Sequence, residues 1–211
     1  MQPLNFFLHS FNAQQGNWNM ENLNLSPGQT ALVAIDLQNL VISYPTQPHE
    51  ARMVVERTAQ LASALRAKGG FIVWVRVAFS GDGKDRVQPA CDQQWTPPRE
   101  MPANASELVP GLSAQPSDHI ITKRQWGAFY GTDLDLQLRR RKITTIILTG
   151  IATNIGVEST ARAALELGYE QIFVQDAMAA LSAGQHEHTV THIFPRMGRV
   201  RRTDEVVATL L

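Results

Sequence analysis

Short unbroken apolar runs, spaced by helical patterns, leave this chain few folds to choose from. Ala31-Leu-Val-Ala-Ile35 is such a run, and Phe71-Ile-Val-Trp-Val75, His119-Ile-Ile-Thr122, Thr145-Ile-Ile-Leu-Thr149 and Gln171-Ile-Phe-Val174 are read as further strands, with a short Arg199-Val-Arg201 after them. A strand with one wet face alternates apolar and polar residues. A run that does not alternate suits a strand buried on both faces, as in a parallel sheet covered by helices. Between the runs, residues 50–68 place Val54, Thr58, Leu61 and Leu65 on one helical face, and Gly69-Gly70 stop that helix. Thr132 is expected to cap a helix reaching about Arg141. Asp133 and Asp135 stand in its first turn and Arg139 to Arg141 in its last, each sign matching the helix dipole. Further helices are expected from about Asn154 to Leu167, from His186 to Ile193, and after a capping Thr203. Strand–helix alternation of this kind makes an α/β fold with a parallel sheet. Its ligands bind at the carboxyl ends of the strands, near a switch in strand order.

Two segments stand outside this rhythm. Residues 1–29 hold a single charged residue, Glu21, and read as an N-terminal arm ahead of a domain spanning 30–211. The arm carries Phe6, Phe7, Phe11 and Trp18, poor residues to leave in water, so it is expected to pack on its own domain or on a neighbouring subunit. Residues 79–118 contain six prolines and little periodicity. So long a connection in a compact domain usually serves function, and a lid or an oligomer contact is expected.

Charge narrows the partners. Nineteen basic and nineteen acidic residues balance, which gives no electrostatic footprint for nucleic acid or an acidic membrane. No apolar run approaches the roughly 18–20 residues that a membrane-spanning helix needs. The single cysteine, Cys91, can form neither an internal disulfide nor a thiolate metal site, and a cytoplasmic setting is expected.

Three places could carry chemistry. Asp36 directly follows the first apolar run, in Ala-Ile-Asp36-Leu-Gln38, where a partly buried carboxylate would be drawn toward acid–base use. Lys123 follows the third run and opens Lys123-Arg-Gln-Trp126-Gly-Ala-Phe129, a segment too apolar for an ordinary surface loop. Gly150-Ile-Ala-Thr-Asn-Ile-Gly156-Val-Glu-Ser-Thr160 joins the fourth run to a helix, whose amino end offers free N–H groups to developing negative charge. It lacks the Gly-Lys-Ser/Thr of a phosphate loop.

Together these pieces resemble the isochorismatase-like cysteine hydrolases. The matching segments are Asp36, Lys123-Arg-Gln-Trp-Gly-Ala128-Phe129-Tyr-Gly131-Thr132, and Gly150-Ile-Ala-Thr153-Asn-Ile-Gly156-Val157-Glu-Ser-Thr160-Ala161. The resemblance implies a three-layer α/β/α sandwich around a six-stranded parallel sheet, a homo-oligomer (dimer or tetramer), and no cofactor. In the family's amidases an aspartate is the base, a lysine holds it charged and a cysteine attacks the carbonyl. Asp36 and Lys123 fall on the first two. Gly156 falls where the cysteine would be. True isochorismatases also lack that cysteine and cleave a vinyl ether, with the aspartate as general acid and water completing the hydrolysis.

The resemblance thus implies a hydrolase acting on a small carboxylate-bearing molecule without a thiol nucleophile. Asp36 and Lys123 are its catalytic residues, and Gly156, Ala152, Thr153, Ile155, Phe129 and Trp126 surround the substrate. It also implies a cis peptide between Ile151 and Ala152. The isochorismatases' Gly-x-Tyr-Ala-His run reads Gly150-Ile-Ala-Thr-Asn154 here, which speaks against isochorismate itself. Some relatives bind zinc through Asp-x-His after the second strand. Here that stretch is Ser80-Gly-Asp82-Gly-Lys-Asp85, so no metal is expected. His186 and His188 read as surface or interface residues. The alternative function is a pocket that binds a small molecule, or serves as a scaffold, without catalysis.

Overall fold

The computed structural model of the chain describes residues 23–93 and 100–211; most of the expected arm lies outside them. Among the described residues six strands form one parallel sheet: β1 (Thr30–Ile35), β2 (Phe71–Val77), β3 (His119–Lys123), β4 (Thr145–Ile151), β5 (Glu170–Ala179) and β6 (Arg199–Arg201). Their order is β3-β2-β1-β4-β5-β6. The unbroken apolar runs are the strands, as expected, and the side-chain period of two splits them between two cores. Leu32 and Ala34 of β1, with Ile72, Trp74, Ile147 and Val174, pack under helices α2 (Ala51–Ala67) and α6 (Thr203–Ala208). Ala31, Val33 and Ile35, with Val73, Val75, Leu148 and Phe173, meet α3 (Leu134–Arg140) and α4 (Glu158–Glu166) on the other face. A short α1 (Asn39–Ile42) follows β1, and α5 (Ala183–His188) follows β5.

Several boundaries differ from the sequence reading. Asp133, not Thr132, occupies the cap position of α3. Thr132 still contributes, because its hydroxyl oxygen accepts the Leu134 N–H at 3.2 Å. Arg202, not Thr203, precedes α6, since the Asp176 carboxylate takes both the N–H and the hydroxyl of Thr203. The helix expected from Asn154 begins instead with one wide π turn, Thr153–Val157.

In the 79–118 connection, the described residues 100–118 contain the short 3-10 turn Pro110–Leu112 and an isolated antiparallel bridge from Leu108 to Gln38. Part of that stretch is seated on the segment after β1: Asn39 N–H donates to Glu107 O at 3.0 Å, Leu40 N–H to Ala105 O at 3.0 Å, and Val109 N–H to Leu37 O at 3.2 Å.

Candidate active site

The switch in strand order lies between β1 and β4, which pair directly although more than a hundred residues separate them. The chain leaves β1 toward β2 and β3 on one side, while β5 and β6 extend the sheet on the other. In an open parallel sheet, the loops above such a switch part at the strand ends, which is where ligands bind. Gly150 permits the close approach there. Its φ is +118°, and a Cβ on it would stand 2.1 Å from the Ile35 carbonyl oxygen, a contact no side chain allows.

Asp36 stands at the end of β1 with φ +56°, a left-handed conformation uncommon outside glycine. Its own N–H continues the ladder to Val75 O at 2.8 Å. Lys123, the last residue of β3 and only 1% exposed, reaches past the end of β2 to place Nζ 2.8 Å from Asp36 Oδ2. The same ammonium donates to the Trp126 carbonyl. Asp36 is 8% exposed, and its Oδ1 is buried with no hydrogen-bond partner among the described residues. Burial pushes its carboxyl up to about 6, against the opposing pull of the Lys123 ammonium. The pair thus offers a carboxyl that changes charge near neutrality, a fixed cation beside it, and one free acceptor.

Gly156 faces this pair. A Cβ at that position would lie 3.1 Å from Asp36 Oδ2, 3.1 Å from Lys123 Nζ and 2.9 Å from Ile35 Cγ2. Side chains hold the turn carrying it from two sides. The Ile151–Ala152 peptide that leads into it is cis. Thr160, four residues on, donates its hydroxyl to Gly156 O at 2.6 Å and accepts the Ala128 N–H at 3.1 Å, joining this turn to the Lys123 segment. Thr153 Oγ1 lies 2.9 Å from His186 Nδ1.

That contact corrects the reading of His186. The ring is buried rather than on the surface, because it packs against Thr153 and edge-on to His49. Burial, with a smaller contribution from His49, lowers its pKa to about 4. His188 is exposed, as expected.

The other expected substrate contacts divide. Ala152, Thr153, Ile155 and Gly156 lie on the turn or at its start. Trp126 gives the lysine its carbonyl, while its side chain is 67% exposed. Phe129 is drawn into the core, where it stacks on Tyr169 with ring centroids 5.8 Å apart. Two supports went unread in the sequence. Thr160 had a local signal, since a helical threonine often bonds the carbonyl four residues back. His186 had none, since Thr153 is 33 residues away.

The site can be set beside known proteins. A model of the isochorismatase domain matches residues 30–205. The isochorismatase family protein YwoC of Bacillus subtilis is 50% identical over 187 residues, covering 88% of this chain and 96% of that one. YecD of Escherichia coli O157:H7, from the same family, is 47% identical over 188 residues, covering 89% of this chain and 100% of that one. The solved structure of an isochorismatase family protein from Burkholderia thailandensis superposes with a TM-score of 0.84 at 46% identity, covering 88% of this chain and 97% of that one.

Proposed function

Since the chain belongs to the isochorismatase family, we propose that it is a hydrolase that works without a thiol, using Asp36 as general acid on a small carboxylate-bearing vinyl ether. The observation that carries this reading is the Asp36–Lys123 pair standing opposite a residue with no side chain. An amidase needs a nucleophile there. A vinyl ether does not, because protonation of its terminal carbon is the difficult step. The Asp36 carboxyl gives its proton to that carbon, and an oxocarbenium ion forms at the adjacent carbon. Water adds to it and returns a proton to Asp36. The resulting hemiketal breaks its C–O bond to leave a ketone and an alcohol, so that one water is consumed and no covalent enzyme intermediate forms. Lys123 holds the carboxyl in place and offers positive charge to the substrate carboxylate. Ala152, Thr153, Ile155 and Gly156 form the wall on the turn. The setting is a cytoplasmic homo-oligomer.

The test is a turnover screen with vinyl ethers, amides and small carboxylic esters, run beside Asp36→Asn. General acid catalysis requires the protonated form. With the carboxyl near 6, the rate should fall about tenfold per pH unit above that value. An amidase using Asp36 as base would show the opposite limb. Removing the proton source should cost about 10²–10⁴-fold in rate while ligand binding survives. Wild-type turnover in Asp36→Asn sinks the mechanism. A second reading, binding without catalysis, draws on the tight space around Gly156, where 2.9–3.1 Å contacts leave little room for an added atom. Binding with no turnover across the screen would favour it.

A further inference from the structure

Asp36 and Lys123 belong to strands that do not touch, since β2 runs between β1 and β3. Their 2.8 Å contact therefore depends on where the end of β2 lies relative to the turn after β1. One side chain spans that gap. Gln38, two residues beyond Asp36 and 1% exposed, receives the Val77 N–H on Oε1 at 2.8 Å. Its Nε2 donates to Val77 O at 2.9 Å and to Ala105 O at 3.2 Å. A carboxamide has two N–H donors and a carbonyl acceptor, and here each has a partner. Val77 is the last residue of β2 and the register partner of Lys123. The backbone N–H of Gln38 also closes on Asp36 O at 2.9 Å. One amide thus links the turn that presents the acid, the strand position facing the lysine, and the loop at Ala105. A non-glycine residue keeps a left-handed conformation, as Asp36 does at +56°, when its surroundings fix it there.

We propose that Gln38 is a positioning residue that sets the spacing of the Asp36–Lys123 pair. It touches no reacting atom; it fixes two that would otherwise be placed independently. Its relevance to catalysis rests on the reading of Asp36 as the acid, but its effect on the pair can be measured without a substrate. Few other residues could do this. Leucine has no polar atoms, and asparagine is one methylene too short to keep all three bonds.

The experiment is a carbon-detected NMR titration of the Asp36 carboxyl, assigned by its absence in Asp36→Asn and recorded for wild type and Gln38→Leu, with thermal melting as the check on folding. Burial is the larger of the two opposing influences on Asp36. A loosened turn that admits water should therefore make the carboxyl roughly tenfold more acidic, about one pH unit lower. An upward displacement would mean instead that the turn withdrew from the ammonium, and would equally support a spacing role. A folded variant whose Asp36 titrates as in wild type overturns the proposal. If Gln38→Leu fails to fold because Val77 is left unpaired, the same titration on Gln38→Asn decides. Should that titration be unmoved while Asp36→Asn loses turnover, the acid reading stands and only the role of Gln38 falls.

Discussion

Asp36 and His186 pull stability in opposite directions as pH changes. The Asp36 carboxyl rises from 3.8 to about 6 in the folded chain, so the fold binds that proton more tightly than the unfolded chain does. Stability is gained as pH falls from about 6 toward 4. His186 drops from 6.5 to about 4, so the fold resists that proton and stability is lost over much the same window. The two contributions oppose each other in wild type. Calorimetry from pH 7 to 4.5 should show Asp36→Asn losing melting temperature faster than wild type on acidification, and His186→Gln more slowly. Parallel curves for all three would refute both assignments. At Gly156, alanine would force Ile35 or the ion pair aside, an overpacking that costs about 1–3 kcal/mol in urea unfolding. Cys91 is exposed, and among the described residues its thiol donates to Gln93 O in its own loop. Alkylating it should leave turnover unchanged; if Cys91→Ser lost activity while still folded, the thiol-free mechanism would fail.

Among elements, the pairing of β1 with β4 is the least forgiving. Gly150→Ala would place a methyl 2.1 Å from the Ile35 carbonyl, and a cost above about 3 kcal/mol is expected, read as a lost or much lowered melting transition. A melt like the wild type's would show that β4 can retreat. The strands were legible because a run such as Thr145-Ile-Ile-Leu-Thr149 has no polar face to offer water. The outer half of β5 was not. The sequence reading ends this strand at Val174, before Gln175 and Asp176, yet the strand continues to Ala179. Asp176 can lie buried there because Thr203, Arg57 and Arg202 come to it from α6, α2 and the residue before α6. Those partners are remote in the chain and leave no mark beside it. Asp36, Lys123 and Gly156 were legible from the motif the sequence resembles, and the strand order carries them to one edge of the sheet. The Gln38 clamp and the Thr153–His186 contact are tertiary pairings of side chains that periodicity does not see.

For the molecule as a whole, the proposed assembly of copies can be tested at the segment after Lys123. Gln125 bonds Gly127 O and Tyr130 O, fixing a loop from which Trp126 and Tyr130, 67% and 83% exposed, face outward. Aromatic side chains held out so close to the ion pair suit a contact between copies. Light scattering should give a mass that is a multiple of 23.4 kDa, and a Trp126→Ser, Tyr130→Ser double variant should shift it downward. A monomer at micromolar concentration would refute the assembly. The glycine opposite the acid also shapes how such a protein could be inhibited. Electrophilic warheads that disable thiol hydrolases by capturing a sulfur would find none at position 156. An effective blocker must instead hold on reversibly, with an anionic group for Lys123 and a donor for the free oxygen of Asp36. The one sulfhydryl, exposed at Cys91, is left as a single attachment point for a reporter dye with which to watch that ligand arrive.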